Sequence, residues 1–176
     1  MKAALVMVLF AVSAFAQDIS VAAAESACGP ANAHFAINTH GNEHSVAQPD
    51  PEKAVVYVVE DQKSKAVRDV TSRVGLDGAW VGANRGNSYL FFSVEPGEHH
   101  LCTDWVSDLL AAGRLVSVAN FTAEPGKVYY FRARTSSSGD GRSMSSGASI
   151  DLDLVNSDEG RLLVASSVLS VSHPKK

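Results

Sequence analysis

Apolar and polar side chains alternate with a period of two along most of this chain, which is the pattern of β-strands. Residues 54–60, AVVYVVE, form a continuous β-branched run that predicts a buried strand. Residues 149–155, SIDLDLV, predict a strand with Ile150, Leu152 and Leu154 on its inner face. The same pattern predicts further strands at residues 72–76, 79–82, 88–94, 98–105, 114–123 and 127–134.

Turn-forming residues separate these strands. Asp77-Gly78 favours a type I′ hairpin, because both central positions of that turn take positive φ. Glu95-Pro96-Gly97 and Glu124-Pro125-Gly126 each place proline before glycine, as a type II turn requires. Residues 135–147, TSSSGDGRSMSSG, have no apolar period and are predicted to form a surface loop. Roughly seven strands with a turn about every 8 to 12 residues predict a mainly β fold, an antiparallel β-sandwich.

One short helix is predicted near the C-terminus. Ser157-Asp158-Glu159-Gly160 precedes RLLVASSVL, and the Ser157 side chain would accept a hydrogen bond from an amide at the start of the helix. Residues 104–113, DWVSDLLAAG, are compatible with an extra helical turn between two strands. Residues 173–176 are predicted to be a tail.

The first residues have the pattern of a secretory signal peptide. Met1-Lys2 is followed by an apolar run and by Ala14-Phe15-Ala16, a small-x-small cleavage site before Gln17. No later stretch approaches the roughly 20 apolar residues of a membrane-spanning helix. A lipoprotein anchor needs a cysteine directly after the apolar run, and Cys28 lies well beyond it. Signal cleavage after Ala23 or Ala24 is an alternative to cleavage after Ala16. We therefore expect a periplasmic or secreted protein without an integral membrane span.

The chain divides into a signal peptide at 1–16, an N-terminal extension at 17–50, a β-sandwich domain at 51–172 and the tail. The roughly 160 residues that follow the signal suit a single core. Acidic residues outnumber basic ones by 19 to 15, and the formal net charge is −4 at pH 7. Nucleic-acid sites need a basic surface that displaces counterions from phosphates, so this charge argues against a nucleic-acid partner.

Two cysteines in an exported chain predict a disulfide between Cys28 and Cys102. Such a bond would tie the N-terminal extension to the middle of the domain. It would also remove roughly 4 kcal/mol of loop-closure entropy from the unfolded chain. The alternative is a pair of free thiols.

The sequence from 74 to 102, VGLDGAWVGANRGNSYLFFSVEPGEHHLC, and FTAEPGKVYYFRAR at 121–134 carry a resemblance. The shared pattern is V-x-x-D-G-x-x-V-G, an aromatic strand, E-P-G-x-H-x-L and then A-E-x-G-K-x-Y-Y. It resembles a bacterial family of domains of unknown function found in exported proteins and lipoproteins, and more loosely the PEGA-type β-sandwich domains. The resemblance implies an immunoglobulin-like or prealbumin-like sandwich, and it implies no catalytic residues.

Histidines are the main candidates for chemistry. His40 and His44, in HGNEH, could bind a metal ion together with a third ligand such as His100, but Gly41-Asn42 favours a solvated loop. His99 and His100 are adjacent in a strand and must face opposite sides of the sheet. Because Leu101 belongs in the core, we expect His99 to face inward and to bond to the backbone. We predict no cofactor.

Tyr130, Arg132 and Arg134 share one face of a predicted strand, and tyrosine and arginine are favoured in protein contacts. This face is therefore a candidate binding surface. We expect a non-catalytic exported module that binds or scaffolds in the cell envelope, with an envelope protein or a glycan as the unknown partner. The alternative is a periplasmic metal-binding protein that uses surface histidines.

Overall fold

The computed structural model describes residues 24–40, 47, 50–62, 70–106, 115–137 and 148–175. The elements are α1 (described over residues 24–28), β1 (Phe35–His40), β2 (Ala54–Glu60), β3 (Thr71–Leu76), β4 (Ala79–Arg85), β5 (Ser88–Val94), β6 (Gly97–Val106), β7 (Leu115–Ala123), β8 (Val128–Ser137), β9 (Ala148–Val155), α2 (Ser157–Ala165) and β10 (Val168–Pro174). The mainly β fold with one short helix near the C-terminus is confirmed.

The strands form two sheets that pack as a sandwich. One sheet has six strands in the order β1-β10-β5-β2-β8-β9, and the other has four in the order β4-β3-β6-β7. The smaller sheet is entirely antiparallel. In the larger sheet, β10 runs parallel to β5 and β2 runs parallel to β8. The larger sheet is therefore mixed rather than purely antiparallel, because the chain crosses to the smaller sheet after β2 and again after β5 before it reaches β8.

Strand β2 is buried on both faces, which explains its unbroken β-branched run. Its residues Val56 and Val58 face the core between the sheets, where they meet Leu101 and Phe131. Val55, Tyr57 and Val59 face the other side, where a second apolar cluster includes Val164 of α2 and Leu169 of β10. Helix α2 and the adjoining chain thus shield the outer face of the larger sheet.

Helix α2 begins one residue earlier than the sequence indicates. Asn156 is the N-cap, and its Oδ1 accepts hydrogen bonds from the backbone N–H groups of Asp158 and Glu159 at 3.1 and 3.0 Å. Asparagine and serine are both good caps, so the sequence did not separate Asn156 from Ser157. The helix ends at Ala165, and the apolar residues expected to continue it belong to β10.

Gly160 is the position where α2 touches the sheet. It is buried, and a Cβ atom there would overlap the ring and Cβ of Tyr130. In an unconstrained helix, glycine to alanine is stabilising by roughly 0.5 to 1 kcal/mol. The opposite sign is expected here, because α2 would have to move away from the sheet.

We expect Gly160→Ala to lower the free energy of unfolding by about 1 to 3 kcal/mol, as overpacking does. Urea unfolding followed by circular dichroism measures this change. Arg161→Ala is the matched control, because Arg161 is the next helical residue and is exposed. A Gly160→Ala variant as stable as the wild type would show that α2 does not pack on Tyr130.

The sandwich extends beyond the predicted boundaries of 51–172 at both ends. Strand β1 lies in the predicted N-terminal extension and pairs with β10, from Phe35 opposite Pro174 to His40 opposite Leu169. Strand β10 also takes in residues of the predicted tail. Ser170 and Ser172 of β10 then satisfy the edge of β4, since one hydroxyl donates to the carbonyl of Ala83 and the other accepts from its N–H, both at 2.9 Å.

Three predictions lie wholly or partly outside the described residues. They are the signal peptide at 1–16, the helical turn at 104–113 beyond the end of β6, and the loop at 135–147 beyond the end of β8. Residues 104–106 and 135–137 belong to strands. In the part of the chain that the structure describes, no helix has the length and apolar character needed to cross a membrane.

Candidate functional site

The two ends of the sandwich are connected differently. At one end, strands are joined by short turns such as Asp77-Gly78, where both residues have positive φ (51° and 80°) as a type I′ turn requires. At the other end, residues 61–70, 107–114 and 138–147 link successive strands, and most of these residues lie outside the described chain. We call the end with these longer connections the loop end and the end with the short turns the turn end.

Buried polar side chains line the interior of the sandwich at the loop end. We define them as the polar cluster: Glu60, Gln62, Ser72, Asn84, Thr103 and Trp105. None is more than 5% exposed. Polar groups are seldom buried in this number without hydrogen-bond partners.

Strand alternation places these side chains. Glu60 continues the row of Val56 and Val58, which face the core. Ser72 lies opposite Asn84 on one neighbouring strand and opposite Trp105 on the other. A polar row across the smaller sheet therefore faces the carboxylate of Glu60 in the larger sheet.

Hydrogen bonds satisfy one side of the cluster. The Oε1 atom of Glu60 accepts from Gln62 Nε2 at 2.9 Å and from Ser72 Oγ at 3.0 Å. Gln62 Nε2 also donates to Thr135 Oγ1 at 2.8 Å. Asn84 Nδ2 donates to the carbonyl of Val58 at 3.1 Å. These bonds join the two sheets at the loop end.

The other side of the cluster is unsatisfied. Within the described chain, five buried atoms of the cluster lack a hydrogen-bond partner: Glu60 Oε2, Gln62 Oε1, Asn84 Oδ1, Thr103 Oγ1 and Trp105 Nε1. A buried polar atom without a partner costs about 1 to 3 kcal/mol. The cluster therefore has hydrogen-bonding capacity that the described groups of the protein do not use.

Burial changes the acidity of Glu60. It raises the pKa of the carboxyl from 4.5 to about 7, while the hydrogen bonds from Gln62 and Ser72 act in the opposite direction. Glu60 therefore exchanges a proton near neutral pH. The other members of the cluster are amides, hydroxyls and an indole, so within it Glu60 has neither a second carboxylate nor an imidazole as a partner for acid–base catalysis.

The predicted disulfide is present between Cys28 and Cys102, with 5.2 Å between the Cα atoms. Both cysteines are fully buried. Gly75, opposite Cys102 on β3, must be glycine because a Cβ there would overlap the backbone of Cys28. The N-terminal segment thus lies directly on the outer face of the smaller sheet.

Arg73 fastens the same segment. Its guanidinium donates to the carbonyls of Ala31 and Ala33 at 2.8 and 2.7 Å and pairs with buried Asp104. The guanidinium carbon also lies 4.4 Å from the centre of the Trp80 ring. Sequence reasoning missed Arg73, because a single arginine in a strand carries no signal of a partner 40 residues earlier.

The adjacent histidines divide as alternation predicts. His99 packs against Phe121 with 5.6 Å between ring centres, whereas the His100 side chain is 61% exposed. His99 Nδ1 lies 2.7 Å from Asp77 Oδ2, and Nε2 lies 2.8 Å from the carbonyl oxygen of Glu95. Burial lowers the pKa of His99, but these two acceptors outweigh it and raise the pKa above its ordinary value. His99 is therefore a structural link between two turns.

The residues predicted for metal binding are not brought together in the described chain. His40 is on β1 of the larger sheet and His100 is on β6 of the smaller sheet, while His44 lies outside the described residues. Among the described residues there is no group of three or more His, Cys, Asp or Glu side chains that could hold a metal ion.

The predicted binding face on β8 is occupied by the protein itself. Tyr130 stacks on Tyr57 at 5.1 Å and lies beneath Gly160 of α2. Arg132 pairs with Glu159 and Asp153, and Arg134 pairs with Asp61 at 3.2 Å. Helix α2 therefore packs on Tyr130 and Arg132, whereas the Arg134 side chain is 35% exposed.

Comparison with known proteins gives one match. The family model described as Protein of unknown function (DUF2846) matches residues 50–148, which is more than half of the chain. The matched range includes β2 to β8 and so covers every residue of the polar cluster. No curated protein and no solved structure matches.

Proposed function

Because the chain belongs to the family of proteins of unknown function DUF2846, we propose a role from its own structure. It is an exported, non-catalytic β-sandwich module that binds a partner of the cell envelope, a protein or a glycan, through the loop end. The observation that carries this proposal is the coincidence of the three long connections with a polar, incompletely hydrogen-bonded core at one end of the sandwich.

The disulfide supports export. Disulfides persist in oxidising compartments and are rare in reducing ones. Cys28 and Cys102 are both fully buried, so the bond is part of the packed structure. Together with the signal-peptide pattern of residues 1–16, it favours the periplasm or the extracellular space.

The connections support binding at the loop end. β-Sandwich domains often place their binding residues on the loops at one end of a rigid framework. Here the framework is the pair of sheets, joined at this end by the hydrogen bonds of Ser72 to Glu60 and of Asn84 to the carbonyl of Val58. The turn end, by contrast, is closed by tight turns and by the pairing of His99 with Asp77.

Site-specific photo-crosslinking in growing cells tests this proposal. A photoreactive amino acid replaces Arg85, which is exposed at the loop end, or Lys127, which is exposed at the turn end. We expect a discrete adduct in the envelope fraction from position 85 and none from position 127. Adducts from both positions, or from neither, would contradict binding at the loop end, and full-length protein in the cytosolic fraction would contradict export.

A further inference from the structure

We propose that the polar cluster is an internal binding site for a single hard monovalent cation, Na⁺, held by the side-chain oxygens of Glu60, Gln62, Asn84 and Thr103. This inference does not depend on the proposed partner or on export, since it rests only on described side chains. It also differs from the predicted histidine site, because it uses oxygen ligands from the core.

The hydrogen bonds decide which amide atoms face the cluster. A backbone carbonyl can only accept, so Asn84 must present Nδ2 to the carbonyl of Val58 and its Oδ1 must point elsewhere. Gln62 Nε2 donates to Glu60 Oε1 and to Thr135 Oγ1, which leaves Gln62 Oε1 without a partner among the described residues. The unpaired atoms of both amides are therefore oxygens, which join Glu60 Oε2 and Thr103 Oγ1.

Four oxygen atoms of this kind are suited to a hard cation. Carboxylate, amide carbonyl and hydroxyl oxygens are the ligands that such cations prefer, whereas zinc and copper favour nitrogen and sulfur. Each of the four residues is at most 2% exposed. A cation here would be held mainly by protein oxygens, with the indole N–H of Trp105 free to donate to a water molecule in its shell.

Charge favours a monovalent ion. Among the described residues, the interior of the sandwich at this end contains one carboxylate, Glu60, and its hydrogen-bond partners are uncharged. Arg73 is on the opposite face of β3 and is already paired with Asp104. A buried carboxylate that lacks a counterion is costly, and one positive charge neutralises it. Protein Ca²⁺ sites usually gather several carboxylates.

Thermal unfolding of the oxidised full chain tests the site. At one fixed pH, NaCl is expected to raise the unfolding midpoint by about 5 °C over choline chloride at equal ionic strength. Thr103→Val should lose most of the Na⁺-specific shift while keeping the carboxylate, and Thr122→Val, at an exposed threonine on β7, should retain it.

Broadening of the sodium NMR line by the protein is a second readout that does not depend on stability. It should occur with wild type and disappear with Glu60→Gln. Equal midpoints in the two salts for wild type would overturn the proposal and indicate that water alone fills the cluster. A shift with CaCl₂ and none with NaCl would overturn the choice of a monovalent ion.

Discussion

Replacing both cysteines, in the variant Cys28→Ala with Cys102→Ala, is expected to lower the free energy of unfolding by about 4 kcal/mol. The disulfide joins residues 74 positions apart, so it closes a long loop in the unfolded chain. Its removal restores the entropy of that loop. The N-terminal segment would then be held mainly by the contacts of Arg73 with Ala31 and Ala33.

Urea unfolding with and without reductant measures this effect. Reduced wild type should resemble the double variant, and the double variant should not respond to reductant. The control is Ala36→Ser, an exposed substitution on β1 that leaves the disulfide in place. Equal unfolding free energies for oxidised wild type and the double variant would show that the bond does not stabilise the fold.

Stability is also expected to fall by about 3 kcal/mol as the pH rises from below 4.5 to well above 7, because of Glu60. The carboxyl has a pKa of about 7 when folded and 4.5 when unfolded, so between these values the native state holds a proton that the unfolded state has released. This contribution is complete below pH 4.5 and is lost as the pH passes through about 7. Choline chloride should be the salt in these measurements, because Na⁺ would offset the loss if it binds.

Glu60→Gln isolates this effect, because glutamine has a similar shape and does not titrate. The variant should show a smaller fall in stability with pH and should be more stable than wild type above about pH 8. His99 contributes in the same direction, since its raised pKa gives stability that is lost as the pH rises through its folded value. His99→Gln is the matched control, because it removes this second contribution to the pH dependence and leaves Glu60 unchanged. A fall with pH in Glu60→Gln equal to that in wild type would refute a buried, protonated Glu60.

The strands and turns were predictable where one face of a strand meets the core. The Asp77-Gly78 turn was a local signal that the structure confirms. In β9, Ile150 and Leu152 are buried as alternation predicts, but Leu154, which was predicted to face inward, is 56% exposed because it lies at the end of the strand. Strands β1 and β10 were missed, because β1 is mostly exposed and β10 follows directly on the helical pattern of α2. Their pairing is a contact between the two ends of the chain, which no local pattern records.

The polar cluster could have been found only in part. The phase of β2 puts Glu60 on the same face as Val56 and Val58, so an inward carboxylate was implied by alternation alone. Whether this carboxylate belongs to a polar cluster depends on Ser72 and Asn84, which come from strands in the opposite sheet. The same limit applies to Tyr130 and Arg132, which α2 contacts, and to Arg134, which pairs with Asp61.

Three features could be predicted from local patterns: the β-rich fold, the division of His99 and His100 between two faces, and the pairing of Cys28 with Cys102. The first two follow from a period of two, and the third follows from the presence of two thiols in the chain. The folded structure was needed to show that polar side chains from several strands lie inside one end of the sandwich with unpaired oxygens. Such a meeting depends on strand order and register between distant segments. Local periodicity contains no information about these.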